Sequence, residues 1–420
     1  MLLGFKETPI GKIPEDWEVV RLGDVTKVNP ESINPAKEAP DEEFYYIEID
    51  SIQNSKIKSV KKIIGKNAPS RARRVVREND VIMSTVRPYL KAFVIVPKKY
   101  DGQICSTGFA VLRCKNELIE PKYLLYNLFM DRTIEQCNRL MVGGQYPALN
   151  QSHVEQLKIP LPPLPEQRKI AEILSTVDEA IQKVDEAIVK TERLKKGLMQ
   201  ELLTKGIGHT EFKDTEIGRI PKEWEVVRLG DVAYEFISGG TPSTKVAKYW
   251  NGDIPWIRSV HITKFYIDER SIGQYITKEG LENSAAKIIP KNNLIIATRV
   301  GIGKSAVNLI DVAINQDLTG IMLNKSKAEP FFLVWYLNSP KIVSLLESFS
   351  RGTTIKGIPQ DYIKKLLIPL PPLPEQQKIA EILSTVDKKL ELERKRKEKL
   401  ERIKKGLMND LLTGRRRVKV

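Results

Sequence analysis

The chain has 420 residues, with 68 Lys plus Arg against 53 Asp plus Glu and a formal net charge of +15. Its 41% hydrophobic content excludes a disordered chain and fits about two to four folded domains, and the basic excess favours an anionic partner such as nucleic acid. The longest apolar run, residues 331–337, has seven residues, far short of the ~20 that a membrane-spanning helix requires. Three cysteines (Cys105, Cys114, Cys137) without a CxxC pair, and three scattered histidines, argue against a disulfide framework and against a structural zinc site. No secretory signal opens the chain, so a cytoplasmic protein without a metal is expected.

In chain order, residues 11–25 read GKIPEDWEVVRLGDV, with Trp17 expected in the core. Glu42, Glu43, Glu48 and Asp50 read as strand-edge carboxylates rather than a nuclease site. Residues 56–77 then carry nine basic residues and no acid. Among these Lys56, Lys58, Lys61, Lys62, Arg71, Arg73 and Arg74 are candidates to neutralise phosphates, with Lys66 and Arg77 completing the run. Residues 81–85, VIMST, have the pattern of a buried strand, followed by the cations Arg87 and Lys91. Pro121 suits the first position of an amphipathic helix over residues 121–140. The turn after it offers Gly143, Gln145 and Tyr146, where glycine lets backbone approach DNA and polar neighbours reach base edges.

Residues 159–165, IPLPPLP, cannot continue a helix and form a stiff extended connector. From Pro165 a helix of about 38 residues, roughly 57 Å, is expected. Its apolar residues Leu174, Val177, Ile181, Val184 and Ile188 recur every three or four positions, a narrow seam for a partner helix. Thr191 and Lys195 interrupt it.

The chain then repeats itself. Residues 218–232, GRIPKEWEVVRLGDV, restate 11–25 at an offset of 207, and residues 368–387 restate 159–178 at an offset of 209 with one difference, Arg168 against Gln377. The second long helix carries the seam Leu383, Val386 and Leu390, interrupted at Glu393, Lys397 and Lys404. Between the repeated blocks, residues 26–158 and 233–367 differ almost everywhere, apart from a shared skeleton: residues 294–298 align with 81–85, Lys304 with Lys91, and Pro330 with Pro121. Arg258, Lys264, Arg299, Lys304, Arg351, Thr353, Thr354 and Lys356 are the second copy's nucleic-acid candidates. Residues 301–305, GIGKS, resemble the end of a phosphate-binding loop. The glycine required five residues earlier is Thr298, however, and the following residues read as a strand, so a tight turn between strands is expected. No dinucleotide fingerprint, catalytic triad spacing or adenine-methyltransferase motif is present.

The duplication decides the architecture. It predicts a mixed α/β (α+β) chain with two globular units, residues 1–158 and 211–367. Each is followed by a Pro-rich connector and a long helix, residues 159–210 and 368–420. The helices are expected to pair as an antiparallel coiled coil about a pseudo-two-fold axis, one frame carrying two different surfaces.

The twin Leu-Pro-Pro-Leu-Pro-Glu-Gln blocks, the twin Trp-Glu-Val-Val-Arg-Leu-Gly-Asp-Val blocks, and Ser238-Gly239-Gly240-Thr241-Pro242-Ser243 ahead of Tyr249-Trp250 and Trp256 resemble the specificity subunits of type I restriction-modification systems. The resemblance spans essentially the whole chain. It implies that each variable unit is a target recognition domain reading one half of a bipartite, asymmetric DNA site. It also implies that the helices set the spacer and dock modification subunits, two in number, which methylate adenine. Restriction subunits would complete the complex. This chain would hold no catalytic site and no cofactor; S-adenosylmethionine, ATP and Mg would belong to the partners.

Overall fold

The computed structural model describes residues 4–53, 55–141, 147–350 and 357–419. It divides into two compact units, residues 1–185 with 396–420, and residues 186–395.

Two four-stranded sheets build the first unit. In one, Phe93–Ile95, Val81–Ser84, Phe109–Cys114 and Thr26–Val28 lie side by side, all antiparallel. In the other the order is Lys61–Ile64, Glu43–Ile47, Ile104–Ser106, Ala72–Val75, and the central pair runs parallel. Side chains alternate across a strand, so Val81–Ser84, buried on both faces, feeds two cores. Ile82 joins Ile47, Val94, Cys105, Phe109 and Val111. Val81 and Met83 join Phe93, Leu112, Tyr123 and Leu124 in the larger core.

The second unit repeats this scheme. Ala233–Ser238, Leu318–Leu323, Leu294–Ala297 and Ser305–Asn308 form the first sheet, with Tyr266–Ile267 added at its edge. Gln274–Ile276, Trp250–Ile257, Val312–Ile314 and Lys287–Ile289 form the second, its central pair again parallel. The expected alignment of residues 81–85 with 294–298 therefore falls on equivalent central strands. Residues 301–304 form a turn with Gly301 and Gly303 at positive φ. A strand, Ser305–Asn308, follows it, so no helix N-terminus is available to cradle a phosphate.

The two near-identical blocks of each copy meet in space. Glu18–Arg21 pairs antiparallel with Lys158–Leu161, and Glu225–Arg228 with Leu367–Leu370. Each is a two-stranded ribbon, where proline's missing N–H costs no interior ladder bond. The proline-rich connector is thus extended, as expected, and it is also paired.

The residues that follow hold each unit to its helix. Trp17, fully buried, donates its indole N–H to Glu166 at 3.2 Å; Trp224 donates to Glu375 at 3.0 Å. Gln167, also buried, donates to the carbonyls of Leu118 and Pro162 and accepts from the backbone N–H of Glu120. Gln376 makes the same three bonds with Lys327, Pro371 and Glu329. In the first unit Arg417 closes this latch with two bonds to Glu166, at 2.6 and 2.8 Å, and two to Asp16. In the second, His209 and the N–H of Ile207 take that place on Glu375, each at 2.9 Å.

The helix expected over residues 121–140 is two helices, Pro121–Leu128 and Asp131–Leu140. Its counterpart likewise divides into Pro330–Leu337 and Pro340–Ser348, because Pro340 cannot continue a helix. Nor is the counterpart's first half amphipathic: Phe332 to Leu337 are all buried, enclosed between sheet residues such as Leu294 and long-helix residues such as Leu383.

The long helices are α1, Leu164–Leu202, and α2, Leu373–Leu412, of 39 and 40 residues. Within the first unit, Asp178 pairs with Lys404 and Asp185 with Lys397; seven residues up one helix match seven down the other, so the segments run antiparallel. Within the second unit, Lys195 pairs with Asp387 and Glu192 with Arg394, in the same sense. Leu174, Val184, Leu383 and Leu390 of the expected seam are buried, and Val177, Ile181, Ile188 and Val386 are half-buried. Three of the seam interruptions have partners, Lys195, Lys397 and Lys404 each meeting an aspartate across the helix pair; Thr191 is itself buried, and Glu393 has one carboxylate oxygen enclosed without a hydrogen-bond partner. Among the described residues no helix is long and apolar enough to cross a membrane.

Candidate nucleic-acid interface

The basic run of residues 56–77 is not one patch. It threads two strands, Lys61–Ile64 and Ala72–Val75, that lie on opposite edges of the second sheet. Lys56, Lys58 and Arg71 are exposed. Lys62 is paired with Glu43 and Lys61 with Glu48, the latter at 3.6 Å; these acids are the strand-edge carboxylates of the sequence. Arg73 donates to the Ala72 carbonyl. Arg74 lies opposite Cys105 in the sheet register. Burial lowers its pKa, and its Nη1 is enclosed without a hydrogen-bond partner. Arg77 is bound to Glu31, which also pairs with Arg113. The Arg77 and Arg113 guanidinium groups, Arg77 first, hold the Glu31 carboxyl down to about 2. Local partners and burial thus sort the cations: some project outward, while others serve the fold.

Arg87 and Lys91 flank the short turn Pro88–Leu90, both with left-handed backbone, φ 48° and 55°. The Lys91 ammonium donates to the Phe129 carbonyl at 2.9 Å and to Asp131. Arg299 and Lys304 occupy the corresponding turn of the second unit and are exposed. Arg258 is exposed as well. Lys264 is instead tied to α2, donating to Glu391 at 2.7 Å beside the Tyr266 hydroxyl. The hydrogen bond from Lys264, and then that from Lys395, holds Glu391 down to about 2.

Seven candidates, Gly143, Gln145, Tyr146, Arg351, Thr353, Thr354 and Lys356, lie outside the described residues. The chain flanking them is placed: Val86 bridges to Ala148, Arg87 N–H donates to the Pro147 carbonyl, and Ile358 N–H donates to the Thr298 carbonyl. The described residues that follow, Pro147, Ala148 and Ile358, therefore lie at the base of the turn that carries Arg87 or Arg299.

Among the described residues no group of three His, Cys, Asp or Glu could hold a metal ion. The three thiols are free, and burial pushes Cys105 up to about 12, away from nucleophilic chemistry. What residue-by-residue reading missed is the latch: Glu166, Gln167, Glu375, Gln376, His209 and Arg417. Its signal was present, since Glu-Gln follows Leu-Pro in both copies. An identical acid and buried amide repeated in otherwise divergent units mark a joint rather than a reader.

Known proteins share this plan. Residues 14–190 and 221–402 each match the family described as type I restriction modification DNA specificity domain. The putative type I restriction enzyme MjaX specificity subunit of Methanocaldococcus jannaschii is 34% identical, over 99% of this chain and 97% of that one. The MjaVIII specificity subunit of the same organism is 32% identical, over 99% and 96%. A chain solved to describe complex assembly and conformational transition of a type I R-M system is similar at 29% identity and a TM-score of 0.58, covering 96% of this chain and 99% of that one. The S subunit of a type I restriction-modification system from M. genitalium shares the fold, with a TM-score of 0.59 at 13% identity over 94% and 96%.

Proposed function

Because this chain belongs to the type I restriction-modification DNA specificity family, it is a DNA-recognition subunit and not itself an enzyme, and we propose that its two units read the two unlike halves of one bipartite DNA target. The observation that carries this reading is the twofold use of one sheet scheme with different exposed residues. Identical blocks build the joints, the ribbon and the latch, while divergent residues cover the surfaces. A common frame with unlike surfaces suits two recognition events of one geometry and different sequence. The exposed cations Lys56, Lys58, Arg71, Arg258, Arg299 and Lys304 are the groups available to phosphates and to guanine edges.

Subunits of this family assemble with modification and restriction subunits and bind DNA. Two modification subunits, one for each half-site, suit a duplicated chain. In that complex S-adenosylmethionine serves the modification subunits, and ATP with Mg the restriction subunits, in the cytoplasm. The helices α1 and α2, roughly 60 Å long at 1.5 Å per residue, serve as the spacer between half-sites.

Mapping methylated adenines in DNA from a host that expresses this chain with its modification partner tests the reading. The expected motif is asymmetric, in two parts, with a fixed unspecified gap. Matched seven-residue insertions in both helices, near residues 191–198 in α1, should lengthen the gap and leave both half-sites intact. A continuous palindromic motif would overturn the bipartite reading, and an altered half-site with an unchanged gap would overturn the spacer.

A further inference from the structure

The hairpins at residues 85–91 and 298–304 are matched devices with unmatched tips. Each joins a fully buried central strand to its neighbour, Val81–Ser84 to Phe93–Ile95 and Leu294–Ala297 to Ser305–Asn308. Both are seven residues long, begin with Thr and end with Lys. The opening threonines are anchored alike. Thr85 donates its backbone N–H and its hydroxyl to the Gly108 carbonyl, and Thr298 donates both to Asp317.

Between those ends no position agrees: Val-Arg-Pro-Tyr-Leu stands against Arg-Val-Gly-Ile-Gly, and neither hairpin contains an acid. The tips are apolar and outward. Leu90 is 66% exposed, Tyr89 45% and Val300 54%. The first hairpin keeps non-glycine residues, Arg87 and Lys91, in left-handed backbone, whereas the second uses Gly301 and Gly303 at φ 72° and 84°. Strain retained at such positions is characteristic of working surfaces, and the Lys91 contacts with Phe129 and Asp131 hold it in place.

We propose that these two hairpins are specificity-determining tips, in which Tyr89 and Leu90 in one unit, and Val300 in the other, make apolar contact with base edges while Arg87, Arg299 and Lys304 flank the contact on the phosphate side. Apolar side chains recognise the methyl group of thymine and are indifferent to phosphates; the neighbouring cations favour a polyanion. Within each hairpin the divergence falls on the part that would touch bases, between the shared Thr and Lys that set the height of the tip. This assignment rests on the bipartite reading above.

The test is methylation mapping of the complex carrying Tyr89→Ala with Leu90→Ala, beside the unaltered complex and the mirror variant Val300→Ser. The first variant should relax one or more positions of a single half-site roughly tenfold or more, with the other half-site and the salt dependence of binding unchanged, since no counterion is released by these side chains. The mirror variant should relax the other half-site. The substituted residues are exposed, so an unchanged thermal melt accompanies both outcomes. Full stringency of both half-sites in both variants, with the two-part motif present, would overturn the hairpin assignment alone. Absence of a two-part motif in the unaltered complex would overturn the reading beneath it.

Discussion

The carboxylate of Asp178 lies 2.6 Å from the ammonium of Lys404 in the first unit, and the same two positions of the repeat meet in the second unit as Asp387 and Lys195, at 2.5 Å. Each copy's aspartate pairs with the other copy's lysine. The aromatic partner is also equivalent: Lys404 sits 5.6 Å over the Tyr126 ring, and Lys195 sits 5.0 Å over Trp335. Residues that look like flaws in a hydrophobic seam are therefore a charge pair used twice.

Lys404→Ala should lower the stability of the first unit by about 0.5–1 kcal/mol, the upper range for a partly exposed pair. Lys195→Ala should do the same to the second. Urea unfolding followed by hydrogen exchange within each unit measures both, and Asp178→Lys with Lys404→Asp should recover most of the loss.

Arg417→Ala removes four hydrogen bonds to the carboxylates of Glu166 and Asp16 and leaves Glu166, 3% exposed, with the Trp17 indole alone. The pair with the half-exposed Asp16 is screened by solvent and adds little, whereas leaving the buried Glu166 carboxylate short of its partner costs about 2–3 kcal/mol, and a destabilisation of that size is expected. It should appear as faster exchange around residues 12–22 and leave residues 186–395 unchanged.

Acid should weaken both units. Glu31 and Glu391 are each held down to about 2 against an ordinary value of 4.5. Their ionised forms are favoured by folding, so the stabilisation is fully present above about pH 4.5 and is lost as pH falls towards 2. Urea midpoints measured across that window should drop, and Glu391→Gln should flatten the drop for the second unit while lowering its stability at neutral pH.

Arg71→Ala and Arg74→Ala should separate. Loss of the exposed Arg71 should weaken DNA binding and flatten the log–log salt slope by roughly 0.9 for the phosphate contact removed. Loss of the half-buried Arg74 should change the melting of the first unit more than the salt slope. Filter binding across a salt series, beside thermal melts, distinguishes the two.

Much of this was legible in the chain. The repeat, the helix lengths, the central strands at 81–85 and 294–298, and the burial of Trp17 all follow from period and pattern. Partners hundreds of residues apart were not: nothing near Lys397 in sequence points to Asp185, and nothing near Arg417 points to Asp16. The basic run at 56–77 looked continuous because charge was counted along the chain. The sheet counts it by face and edge, and so Arg77 belongs to Glu31 and Arg74 to the interior.

The division of the chain has a consequence for its synthesis. Residues 186–395 are one uninterrupted stretch, whereas the other unit draws on residues 396–420 as well as 1–185. The reader translated first is therefore finished last, for it waits on Leu411, Leu412 and Arg417 to fill its core and close its latch. A frameshift just ahead of Leu411 would strike the DNA reader built mainly from residues 1–185 and spare the one built from residues 186–395.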